Sequence, residues 1–166
     1  MSLAKNPTTG LVVELFGPTL EFLTLPDDEQ SDFCVLKGTI PPGFSVPLHS
    51  HPDTEDFFLI SGALEGLRHD GASYTWIGVN VGDYIHVPAN ARHAWRNVSV
   101  EPVINLIFTT KRLGRFFQEV GRPVAEIPQP PTPEELERFV TISAQYGHWN
   151  ATPEENEAVG LQISFK

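Results

Sequence analysis

His49 and His51 stand two residues apart, Glu55 follows four residues later, and His93 comes much further along the chain. On a β-strand, residues two apart leave the same face, so both imidazoles of His49-Ser50-His51 point one way. Glu55 keeps that parity if the strand runs on, and His93 has to arrive from a different strand. Three imidazole nitrogens and one carboxylate form a mixed N/O set that suits one divalent metal ion and leaves coordination positions open. Such a centre acts as a Lewis acid, or binds an enolate or O₂. The donor set does not choose among Fe, Mn, Ni, Zn and Cu. Cys34 is the only cysteine. It lies in the apolar run Phe33-Cys34-Val35-Leu36 and reads as a buried, inert thiol rather than a ligand. A closed, cysteine-rich zinc site is therefore disfavoured.

The residues around the histidines are as informative as the ligands. Gly43 precedes His49 with five residues between, and Gly62 follows Glu55 with six between. Together they read as strand, short loop, strand, with a turn glycine at each end. A second stretch, Gly82 to Asn97, holds a glycine turn, a short strand, Pro88-Ala89-Asn90, then His93 and Asn97. In these two stretches the chain resembles the cupin superfamily. The first cupin motif, glycine-x5-His-x-His-x3-Glu-x6-glycine, is matched by Gly43, His49, His51, Glu55 and Gly62. The second, glycine-x5-Pro-x-glycine-x2-His-x3-Asn, is matched by Gly82, Pro88, His93 and Asn97, with Asn90 where the family usually has glycine. Asparagine is the residue after glycine that best tolerates a left-handed turn, so the departure is mild. The resemblance implies an all-β fold, a double-stranded β-helix (jelly-roll) barrel with its metal inside. Among single-barrel members, the ligand pattern resembles the quercetinase-like cupins.

The rest of the chain fits one such barrel with an appendage. A length of 166 residues suits a single domain with a real core. Short runs rich in β-branched and aromatic residues are punctuated by Gly, Pro, Asn and Asp up to about Thr109. Asp70-Gly71 reads as a tight hairpin turn. The first ten residues are polar and expected to fray. The composition changes after Thr110. Leu113, Phe116, Phe117 and Val120 follow helical spacing, and Gly121 can end that helix. Pro123, Pro128, Pro130, Pro131 and Pro133 make an extended connector. Thr132-Pro133-Glu134-Glu135 opens a second helix and Thr152-Pro153-Glu154-Glu155 a third. Leu136, Phe139, Val140 and Ser143 share one face of the second helix and predict packing on the barrel. The expected organisation is residues 1–110 as N-terminal strands and barrel, and residues 111–166 as a helical, proline-rich extension with short helices.

Charge and parity narrow the function. A net charge of -10 argues against nucleic acid and anionic membrane as partners. No signal-peptide pattern or transmembrane run is visible, so a cytoplasmic location is expected. Phe57 and Leu59 share parity with Glu55, and Trp95 shares it with His93. These three either line an apolar pocket for an aromatic or alkyl molecule or fill the barrel core. Asn97 reads as a ligand-parity residue or a turn residue. His69, His86 and His148 fall outside the ligand positions, and Asp56 faces away from Glu55. The expected function is a metal-dependent, dioxygenase-like enzyme acting on a small organic molecule. The alternatives are a cupin isomerase or decarboxylase, and a non-catalytic sensor or carrier of a metal or small molecule. Exposed sheet edges and the family resemblance suggest a homodimer, with the N-terminal strand and C-terminal helices as candidate contacts.

Overall fold

The structure is a computed structural model that describes residues 9–163. The expected fraying falls mainly on residues 1–8, which lie outside the described residues. Ten short strands come first: β1 (Val12–Glu14), β2 (Thr19–Phe22), β3 (Cys34–Ile40), β4 (Ser45–Ser50), β5 (Glu55–Ser61), β6 (Leu64–His69), β7 (Tyr74–Val79), β8 (Tyr84–Val87), β9 (His93–Arg96) and β10 (Val103–Thr109). Helix α1 (Lys111–Val120), strand β11 (Arg122–Pro123), helix α2 (Pro133–Gln145), strand β12 (Trp149–Asn150) and helix α3 (Pro153–Ala158) follow. All pairings are antiparallel, in a seven-stranded sheet ordered β11-β1-β2-β3-β10-β5-β8 and a five-stranded sheet ordered β12-β4-β9-β6-β7. This is the all-β jelly-roll that the sequence predicts.

Alternation explains why the sheets close on each other. Cys34, Leu36 and Ile40 on β3, Phe57 and Leu59 on β5, and Val103 and Ile107 on β10 all face inward and are buried. Trp95 of β9 meets them from the opposite sheet, with its ring centroid 4.7 Å from that of Phe57. Gly66 on β6 makes room for this: a Cβ there would lie 2.7 Å from the Trp95 ring.

The C-terminal extension differs in detail from its sequence reading. It is not only helical, because β11 pairs with β1 and β12 pairs with β4, adding one strand to each sheet. Pro123 is tolerated in β11 because that strand is an edge, where a missing N–H breaks no ladder. The α1 helix is capped by Thr110, whose side chain accepts from the Leu113 N–H. Its end at Gly121 is not a left-handed cap, since φ there is -67°. Glycine is needed for closeness instead: a Cβ would meet the Val13 Cβ at 2.5 Å. Thr132 with Glu135, and Thr152 with Glu155, form the capping boxes of α2 and α3. Helix α2 packs on α1, through Phe139 and Ile142 against Leu113 and Phe116. Val140, expected on the packed face, is 60% exposed. The connection between β6 and β7 is also longer than a two-residue turn: Asp70 accepts from the Ala72 and Ser73 N–H groups and shapes a four-residue loop.

Candidate metal centre

The histidines come from the smaller sheet and the carboxylate from the larger one. His49 in β4 lies directly opposite His93, the first residue of β9. The β4–β9 register shifts between Val46 and His49, an irregularity of the kind that re-aims side chains beside functional sites. His51 stands just past the end of β4, and Glu55 opens β5 in the opposite sheet. The strand is thus interrupted between His51 and Glu55. The chain crosses from one sheet to the other over residues 51–54, and Glu55 approaches the histidines from across the barrel rather than from the same face of one strand.

His49, His51 and His93 converge, with one ligand nitrogen from each lying within 4.8 Å of the others. Each ring is oriented in the same way. The Nδ1 of His49 lies 2.7 Å from the Pro47 carbonyl, that of His51 lies 2.8 Å from the Asp53 carbonyl, and that of His93 lies 2.9 Å from the Ala91 carbonyl. A carbonyl oxygen can only accept, so each Nδ1 carries the hydrogen and each Nε2 is left as a lone pair. The Nε2 atoms of His51 and His93 are buried without a hydrogen-bond partner. The Glu55 carboxylate stands 3.4 Å from His51 Nε2 and 3.8 Å from His93 Nε2. These separations are charge contacts, too long or misaligned to satisfy the nitrogens. Two orphaned, converging lone pairs in a buried site are unusual for packing and suit a cation. The three histidines could hold a metal ion, and the residues present fit one.

Electrostatics agree with that fit. Burial pushes His49 well below the ordinary imidazole range, and the neighbouring His93 and His51 push it further. Burial also works to lower His51, but the adjacent Glu55 carboxylate favours the charged imidazole, outweighs burial and raises His51. Burial would raise Glu55, yet His51 and His93 hold its carboxyl down at about 2. Glu55 is therefore an anion in a buried position, which demands cations around it.

The supporting groups tie this centre to the rest of the fold. Asn90, at φ 64°, adopts the left-handed turn its position requires, and its N–H donates to the His51 carbonyl over 2.7 Å. Buried Asp53 accepts through Oδ1 from Thr110 Oγ1 at 2.6 Å and through Oδ2 from Arg112 Nη1 at 2.7 Å, while its backbone carbonyl orients His51. Arg112 also donates to the Tyr146 carbonyl. This network was not legible as site chemistry in the sequence, since its members lie 34 to 59 residues apart. Asp53→Ala is expected to weaken metal retention by roughly 10- to 100-fold while leaving all three imidazoles in place. Competition against a chelator of known affinity reads this directly.

The other sequence candidates separate cleanly. Phe57, Leu59 and Trp95 face the barrel interior and are buried, and what the structure shows for them is core packing. Asn97 is a turn residue: its Nδ2 donates to the Ile40 and Glu101 carbonyls, and its Oδ1 accepts from the Ser99 N–H and Oγ. His86 pairs through Nδ1 with Asp56 Oδ1 at 2.5 Å, away from the centre. His69 stacks on Tyr74 at the exposed end of β6. His148 alone departs from its expected place, because its ring lies 5.5 Å from that of His51. Burial lowers His148 to about 4, and His51 adds to the shift.

Comparison with known proteins agrees with this architecture. The family model Cupin_2, described as a cupin domain, matches residues 36–108. A cupin 2 conserved barrel domain protein from Salinispora arenicola is similar in fold, at TM-score 0.55 and 15% identity, over 85% of this chain and 98% of that one. Oxalate decarboxylase from Bacillus subtilis is similar at TM-score 0.51 and 21% identity, over 61% of this chain and 27% of that one. The DMSP lyase DddQ from Ruegeria pomeroyi matches at TM-score 0.42 and 27% identity, over 48% of this chain and 39% of that one. The chain thus spans well under half the length of the lyase and the decarboxylase. A comparison with curated proteins gave no match.

Proposed function

We propose, starting from the cupin domain that residues 36–108 form, that this protein is a metal-dependent enzyme acting on a small organic molecule by dioxygenase-like chemistry. His49, His51 and His93 hold one divalent ion through Nε2, and Glu55 supplies the anionic fourth ligand. The observation that carries this reading is the pair of orphaned, buried Nε2 atoms beside a buried carboxylate. A bound ion would supply Lewis acidity or an O₂-binding position. The chain's own residues orient the ligands, exclude water and fix the tautomers. The nearby carboxylates are committed, Glu55 to the imidazoles and Asp53 to Thr110 and Arg112. This supports chemistry centred on a metal rather than on a free acid–base pair. The same commitment supports a second reading, a non-catalytic carrier or sensor of a metal or small ligand.

Metal analysis of protein purified without chelator, followed by oxygen uptake with flavonol, diketone and phenolic substrates, separates the readings. One ion per chain with oxygen uptake supports the enzyme, and one ion without uptake supports the carrier. Less than a tenth of an ion per chain after reconstitution overturns both. Metal uptake is also expected to be linked to protons. Glu55 holds a proton on His51 to higher pH than on a free imidazole. Metal and proton therefore compete for His51, and uptake weakens as pH falls through the raised His51 value, measurable as metal affinity against pH.

A homodimer is also proposed, on a different surface from the one the sequence suggested. The β1 edge is covered by β11. The outer face of the seven-stranded sheet instead exposes Phe58, Ile60, Tyr84 and Phe108. Phe58 lies opposite Tyr84 on one side and Leu106 on the other, so the patch is continuous across three strands. A continuous apolar sheet face of this kind suits a second copy of the same face. Analytical ultracentrifugation is expected to give the dimer mass, and Phe58→Lys to give the monomer.

A further inference from the structure

The strand β12 carries a fourth imidazole to the metal centre from outside the cupin domain. In the β12–β4 pairing, Trp149 lies opposite Ser50 and Asn150 opposite His49. One step further along that register, His148 stands beside His51, and their ring centroids are 5.5 Å apart. The position is firmly fixed. Gly147, at φ 75°, turns the chain out of α2, and the His148 N–H donates to the Ser143 carbonyl at 2.9 Å. Phe116 packs against the imidazole with centroids 4.1 Å apart. Arg92, next to the ligand His93, lies 4.0 Å above the Trp149 ring and clamps the segment from the other side.

Despite that packing, His148 Nε2 is buried and has no hydrogen-bond partner. His148 is not one of the three histidines whose ligand atoms converge. A buried imidazole nitrogen without a partner costs stability unless something outside the chain completes it. Here it stands next to a candidate metal-binding cluster in which the Nε2 atoms of His51 and His93 are equally unpartnered.

Resting on the metal-binding reading above, we infer that His148 is a ligand-positioning residue of the centre. Its imidazole takes one hydrogen bond of the small molecule, a water or an anion, that fills an open coordination position beside His51. The exogenous ligand class is a compact anion or oxygen donor able to meet an imidazole and a metal at once.

The test uses full-length protein loaded with Co(II) and titrated with azide, followed by the visible absorption of the ion. His148→Phe keeps a ring against Phe116 and removes both nitrogens, and His148→Gln restores a polar side chain of similar reach. The expected result is unchanged cobalt stoichiometry in both variants. The azide Kd rises about tenfold in His148→Phe, the scale of one lost hydrogen bond, with partial recovery in His148→Gln. An azide Kd within twofold of wild type in folded, cobalt-loaded His148→Phe overturns the inference. Loss of cobalt from that folded variant also overturns it, since His148 would then be holding the ion itself. Failure of the wild type to bind cobalt overturns the metal reading and this inference together. If His148→Phe does not fold, the azide titration of His148→Leu, which also removes both ring nitrogens, decides by the same twofold limit.

Discussion

His51→Ala is expected to reduce bound metal from about one ion per chain to a trace, with the protein still folded. A four-ligand site binding with ~10–16 kcal/mol draws roughly 2.5–4 kcal/mol from each ligand, so one deletion weakens binding by ~60- to 700-fold. A further effect acts in the same direction. His51 holds Glu55 in its ionised form, so removing it lifts the Glu55 carboxyl toward protonation and weakens a second ligand. The Asn90 contact to the backbone carbonyl of residue 51 would remain, while the Asp53 carbonyl would lose its imidazole partner. Elemental analysis after dialysis, with circular dichroism as the control for folding, reads the outcome. Retention of a full equivalent of metal by His51→Ala would show that the ion lies elsewhere.

Asn97→Ala is expected to have the opposite signature: a large loss of stability with metal stoichiometry retained in the folded fraction. The Asn97 side chain is 1% exposed and makes four hydrogen bonds, to Ile40, Glu101 and twice to Ser99. Its neighbourhood also closes the turn before β4, since the Asn97 carbonyl accepts from Gly43 and its N–H donates to Phe44. Deleting the amide leaves the buried Ile40 carbonyl without that donor and opens a small cavity. Together these cost about 2–4 kcal/mol. For a chain of this size the melting temperature falls by roughly 5–15 °C. Thermal unfolding of the metal-free protein isolates this effect from metal loading. A shift under 2 °C would mean that the turn holds without its amide.

The contrast between these two residues shows what could be read from the chain alone. Both occupy fixed positions in recurring motifs, but only donor chemistry separates a ligand from a turn residue. His49, His51 and His93 were legible because their spacing survives as local geometry: strand parity for the first pair and the Asn90 turn for the third. Glu55 was found for a reason that proved incomplete, since a crossover between sheets, and not continued parity, aims it at the histidines. His148, Asp53 and Arg112 were not legible in this way. Their placement depends on how α1, α2 and β12 fold back over the barrel, and no period in the sequence encodes that. Val140 illustrates the same limit on a smaller scale. Helical spacing marks a face, while contact with α1 decides that Phe139 and Ile142 are covered and Val140 is not. The starts of α2 and α3, by contrast, are legible from four residues each, because they rest on local hydrogen-bond patterns, which the structure shows to be capping boxes.

The backbone of β4 is completed very late in the chain. The Leu48 N–H donates to Asn156 Oδ1 across 108 residues, and β12 flanks His49 on the side opposite β9. During synthesis, a chain that has released both histidine motifs can pair β4 with β9 but still lacks β12 and Asn156 on the other side of β4. Closure of so long a loop is a slow, late event in folding. Docking of α3 and β12 is therefore expected to rigidify β4 only after residues 148–156 have followed the two histidine motifs.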